Sequence, residues 1–72
     1  MADPIQRLET WARANERRYF EIRFIAESPH PWAVELNNDE FGWSATADCH
    51  DSLEDATEHA FAKAAKEEAQ DG

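Results

Sequence analysis

Seventy-two residues with 42% apolar side chains and a formal net charge of −9 make one small domain, near the lower size limit for a core without staples. Three Trp and the apolar fraction argue against a disordered acidic tail, and a lone cysteine, Cys49, excludes an intramolecular disulfide and fits a reducing cytoplasm. No apolar run nears the roughly 20 residues that cross a bilayer, the opening MADPIQRLET has no apolar leader core, and the negative field disfavours nucleic acid and anionic lipid.

Asp3 suits an N-cap, Pro4 the first helical position, and Gln6 completes a capping-box spacing. Ile5, Leu8, Trp11 and Ala12 recur at helical spacing, which predicts a first helix over about residues 4–14, stopping near Asn15. Residues 18–26 alternate as a strand does, with Phe20, Ile22, Phe24 and Ala26 on one face and Tyr19, Glu21, Arg23 and Ile25 on the other. Ser28-Pro29-His30-Pro31 breaks this strand, since proline lacks a ladder donor. Trp32, Val34 and Leu36 alternate with Ala33 and Glu35 in a second strand, and Asn37-Asn38-Asp39 is turn chemistry that folds it back as a hairpin.

A third strand is expected from Phe41 to about Ala47, with Phe41, Trp43, Ala45 and Ala47 on one face and Gly42, Ser44 and Thr46 on the other. A second helix follows from about Leu53 to Ala69, capped by Ser52 with Asp55 or by Asp51 with Glu54. Its apolar stripe is Leu53, Ala56, Ala60, Phe61 and Ala64; Glu54, Asp55, Glu58, Ala62 and Ala65 fall on the opposite side. The fold class is therefore α+β in the order αβββα, a three-stranded antiparallel sheet with both helices packed on the Phe20/Trp32/Trp43 face. Phe20, Phe24, Trp32, Phe41, Trp43 and Phe61 are expected in the core. Trp11 is either a hinge between helix and sheet or an exposed anchor, and Tyr19, Arg23 and Ile25 fall on the sheet face left to water.

Charge is distributed unevenly. Residues 1–26 carry +1, residues 27–47 carry −4 and residues 48–72 carry −6. From Glu27 to Ala62 there are nine acidic side chains and no Lys or Arg. Such a stretch either keeps the protein soluble or forms a surface for a cationic partner. Glu54, Asp55 and Glu58 project from the second helix, with Asp51 and Asp48 just before it. Carboxylates three or four residues apart on a helix lie about 5–6 Å from one another, a spacing comparable to successive backbone phosphates. Asp39 and Glu40 at the hairpin tip, with Glu35, extend the candidate surface.

Catalytic and metal chemistry find little footing. Cys49 and His50 are adjacent, so an extended chain sends them to opposite faces, and no C-x-x-C or H-x-x-x-H spacing exists. His30 sits in a proline turn, and two glycines cannot build a phosphate loop. The expectation is a non-enzyme with no cofactor and no metal.

The αβββα order with a small Ala-rich closing helix resembles the double-stranded-RNA-binding domain in topology. That family grips phosphates with lysines at the start of its last helix. The matching positions here are Asp48, Cys49, His50, Asp51 and Glu54, so the resemblance implies the fold with the sign of the charge reversed, and not RNA binding. Asp51-Ser52-Leu53-Glu54-Asp55-Ala56 after a β-meander resembles the strand-to-helix junction of HicB-type antitoxins over about the last 50 residues, although that family begins with a strand. In its acidity the chain resembles small phage proteins, some anti-CRISPR proteins among them, that imitate nucleic-acid phosphates and occupy the DNA site of a host protein.

The expected function is accordingly a cytoplasmic inhibitor that blocks the basic nucleic-acid-binding site of a partner protein, acting as monomer or homodimer, without touching nucleic acid or membrane itself. Asp48, Asp51, Glu54, Asp55 and Glu58 are its first candidate contacts, Asp39 and Glu40 its second. The alternative is an antitoxin-like or regulatory module that binds through a strand edge or the open sheet face.

Overall fold

A computed structural model describes residues 3–71, with side chains to residue 69. The chain runs α1 (Pro4–Arg13), β1 (Arg18–Phe24), β2 (Trp32–Asn38), β3 (Trp43–His50) and α2 (Leu53–Asp71). The strands form an antiparallel meander in the order β1-β2-β3. Both helices cover one face: α2 packs on β2 and β3, while α1 packs on β1 and against α2. This is the αβββα arrangement that the periodicities predict.

Local chemistry starts each helix. The Asp3 carboxylate accepts from the Ile5 N–H at 3.0 Å, with Pro4 behind it where a missing donor costs nothing. At α2 the Ser52 hydroxyl accepts from the Asp55 N–H at 3.1 Å, so Ser52 is the cap and Asp51 is left outside the helix.

The core lies between the sheet and the helices. Leu8, Val34, Leu36, Ala47, Ala56 and Ala60 are fully buried, with Trp43, Ala45 and Ala64 nearly so. Burying a Leu or Val side chain contributes about 1.5–3 kcal/mol, so Leu8, Val34 and Leu36 dominate a small total. Ala56, Ala60 and Ala64 give α2 a flat face that approaches the sheet closely. Phe20, Ile22, Trp32, Leu53 and Phe61 are half-buried around this centre. Trp11 is the hinge rather than an exposed anchor: its ring centroid lies 6.4 Å from that of Trp43 and 6.3 Å from that of Phe61.

Three details depart from the sequence expectation. Asn37 and Asn38 belong to β2 and are buried, so the turn begins later than expected. The Asn38 side-chain oxygen accepts from Glu40 N at 3.0 Å, Gly42 N donates to Asn38 O at 2.8 Å, and Gly42 takes φ +71°, which glycine adopts without cost. Phe41 is thereby left on the tip of the turn, 58% exposed and outside the core.

Phe24 is also outside the core. It sits at the end of β1, 57% exposed, edge-on to Trp32 at 4.8 Å, because α1 covers only the earlier part of that strand. The third departure is a bulge in β3. Val34 pairs with Ala47 and Trp32 with His50, so Asp48 and Cys49 both oppose Ala33. Cys49 takes φ +63° there, an unfavourable conformation for a residue with a Cβ. The extra residue brings His50, rather than Cys49, onto the helix side.

Candidate functional site

Leu53, Ala56 and Ala60 fix one side of α2 to the sheet, so Glu54, Asp55 and Glu58 emerge into solvent. Asp51 is exposed immediately before the helix and meets the His30 imidazole from the β1–β2 loop. Three carboxylates, Asp51, Glu54 and Asp55, thus share one end of the molecule, within about one turn. The positive end of the helix dipole offsets part of their mutual repulsion. Asp48 lies close by in the chain but turns to the other sheet face, since Ala47 before it is buried under α2. Among the described residues, Asp48, Glu54 and Asp55 have no ion-pair partner.

The remaining candidates are drawn elsewhere. Glu58 pairs with Arg7, whose guanidinium also lies 5.1 Å over the Phe61 ring. Its charge is therefore partly neutralised by α1, contrary to its expected place in a bare acidic surface. Glu68 pairs in the same way with Arg18 at 3.3 Å, and Arg18 stacks 4.9 Å over Trp11. Asp39 and Glu40 do not extend the cluster. They sit on the β2–β3 turn, at the opposite end of β3 and roughly 20–25 Å away at 3.3 Å per residue, where Glu40 accepts from Asn15 Nδ2 at 2.8 Å.

Glu35 does not extend it either, because it faces the open side of the sheet. There its carboxylate accepts from Asn37 Nδ2 at 3.2 Å and Thr46 Oγ1 at 3.1 Å, and lies 3.6 Å from Arg23. The Asn37 amide foremost, then Thr46 and Arg23, hold the Glu35 carboxyl below its ordinary value of 4.5 against the opposing effect of desolvation. A carboxyl lowered by folding adds stability that is present above its unfolded pKa and lost as pH falls through the folded one. Glu35→Gln is therefore expected to lower the melting temperature at neutral pH and to melt with the wild type in strong acid, which thermal scans across the acid range check.

One further contact and one groove escaped the sequence. His50 Nε2 and His59 Nδ1 lie 2.8 Å apart, tying the end of β3 to α2; the bulge at Cys49 makes this possible. An open groove of about 450 Å3 runs between α1 and α2, lined by Gln6, Arg7, Thr10, Trp11 and Phe61. Among the described residues no group of three or more His, Cys, Asp or Glu is placed to hold a metal ion, and no helix is long and apolar enough to cross a membrane. The chain matches no known protein family, no curated protein and no solved structure.

Proposed function

We propose that the chain is an interaction protein whose acidic end docks on the basic nucleic-acid-binding site of a partner protein and blocks it by occupancy. The observation that carries this reading is the grouping of exposed Asp51, Glu54 and Asp55 at the start of α2 with no Lys or Arg among the described residues in ion-pair reach. Carboxylates so spaced substitute for phosphates, hasten encounter by steering, and lose affinity as salt rises. Asp48, turned to the other sheet face, and Glu58, held by Arg7, contribute less.

The triple reversal Asp51→Lys, Glu54→Lys, Asp55→Lys tests the reading in a pull-down from the native cell at low and at raised salt. Wild type is expected to retain a nucleic-acid-binding protein at low salt and release it at raised salt, and the variant to retain at least about tenfold less. Equal capture by a folded variant would defeat it. Circular dichroism checks the fold, since Ser52 still caps α2.

One observation favours a second reading, binding through a strand edge: β1 is an outer strand with Tyr19, Phe24 and Ile25 beside it, each about half exposed. Such a complex resists salt.

A further inference from the structure

The two edges of the sheet are treated differently. On β3, Lys63 Nζ donates to the Thr46 carbonyl at 2.7 Å, and the bulge at Cys49 interrupts the edge; both are devices that discourage strand pairing. On β1, among the described residues, there is neither a bulge nor a side chain bonded to the outward carbonyls. Asp39 N donates to Arg17 O and Ile25 N to Pro31 O, each at 2.9 Å, so odd-numbered residues bond to β2. The N–H and C=O groups of Phe20, Ile22 and Phe24 consequently point away from the sheet. Among the described residues nothing bonds to them.

We infer that this edge pairs with β1 of a second copy of the chain, antiparallel about a two-fold axis at Ile22, to give a continuous six-stranded sheet. The strand itself selects this occupant. In this register Ile22 faces Ile22, Phe20 faces Phe24, Tyr19 faces Ile25, and Glu21 faces Arg23, twice each by symmetry except at the axis. Shifting the register by two residues in either direction opposes Glu21 to Glu21 or Arg23 to Arg23, like charges that destabilise a pair. The chosen register also forms about six backbone hydrogen bonds from the outward groups. It covers Phe24 and Ile25, which are 57% and 56% exposed in the single chain.

The helices permit the arrangement. α1 connects through a short turn to the start of β1 and overlies Phe20 and Ile22, leaving Phe24 bare. The two-fold therefore sets the copies' α1 helices over opposite halves of the seam. Ile5, 44% exposed and about 200° round the helix from Arg7, lies on the flank away from α2 and towards that seam. This inference deepens the strand-edge reading by naming the occupant, and it leaves the acidic end of each copy free.

Charge exchange tests it by sedimentation velocity across a wide range of concentration. The wild type is expected to form a dimer of twice the 8.3 kDa chain mass. Glu21→Arg and Arg23→Glu, each alone, place like charges opposite in the dimer and are expected to weaken self-association at least about tenfold. The two single variants mixed are expected to associate with each other, and the double variant to dimerise again. A wild type that stays monomeric throughout, or single variants that dimerise as it does, would overturn the inference.

Hydrogen exchange on the unaltered chain provides a second readout free of folding effects. The amides of Phe20, Ile22 and Phe24 should gain protection as concentration rises, while those of Tyr19, Glu21 and Arg23, already bonded to β2, should not. Concentration-independent exchange at the first three contradicts a dimer through this edge. Salt-resistant capture of a different protein that protects the same amides would show a strand-edge module with a foreign occupant.

Discussion

Truncating Leu36 to alanine is expected to remove about 2–5 kcal/mol of stability. Leu36 is fully buried on the central strand, with Phe20 across from it on β1 and Ala45 on β3, beneath α2. A domain of this length holds roughly 4–11 kcal/mol at 0.05–0.15 kcal/mol per residue, so the change removes a large share. Neighbours cannot collapse into the space, because the facing helix surface is built of Ala56, Ala60 and Ala64 on a continuous backbone. Denaturant unfolding checks this. The midpoint should fall with an unchanged slope, and the melting temperature should drop by more than about 10 °C. A loss below about 1 kcal/mol would show that the core is looser than these contacts imply.

The opposite change on α2 is expected to destabilise as well. Ala60 is fully buried at the middle of the stripe that faces β2 and β3. Ala60→Leu adds three heavy atoms where the helix already rests on the sheet, and either tilts α2 or forces Leu36 and Trp43 from their rotamers. Overpacking of this kind costs about 1–3 kcal/mol. Ala62→Leu, on the exposed side of the same helix, is the control and should stay within about 0.5 kcal/mol of wild type. Leucine is as good a helix former as the surface requires, so a difference between the two positions reports packing and not propensity. Equal stability of both variants would contradict close seating of α2.

Periodicity carried most of the architecture. Trp43, Ala45 and Ala47 alternate with polar residues in sequence and face the helices in the structure, as do Val34 and Leu36. The Ala56/Ala60/Ala64 spacing likewise placed the buried side of α2. Errors came where two local signals competed. Asn37-Asn38-Asp39 has turn chemistry, yet the strand continues through both asparagines, because Gly42 supplies the positive φ that closes the turn. Its position, three residues after Asp39, was the better signal. Phe41 then falls on the turn, where apolar character does not imply burial. At Phe24 the alternation is obeyed but the cover runs out, a matter of where α1 begins that no strand pattern encodes.

Charge was less legible than fold. The window from Glu27 to Ala62 lacks Lys and Arg in sequence, but Arg7 and Arg18 cross from the amino-terminal elements to Glu58 and Glu68. Pairs separated by 51 and 50 residues leave no local signature. Exposed pairs of this kind contribute little stability, about 0–1 kcal/mol, yet they decide which carboxylates remain bare. The separation of Asp39 and Glu40 from Asp51, Glu54 and Asp55 was readable. In a meander the β2–β3 turn and the exit from β3 lie at opposite ends of the sheet, and the same reasoning brings His30 in the β1–β2 loop to Asp51.

Mutual exclusion is the most direct test of phosphate imitation by Asp51, Glu54 and Asp55. A partner captured on the immobilised chain is challenged with a nucleic acid and, separately, with an uncharged polymer. Nucleic acid should elute it and the uncharged polymer should not, and free chain should release nucleic acid from the same partner. A partner that holds the chain and nucleic acid together, with undiminished affinity for each, would contradict occupancy of a shared basic site.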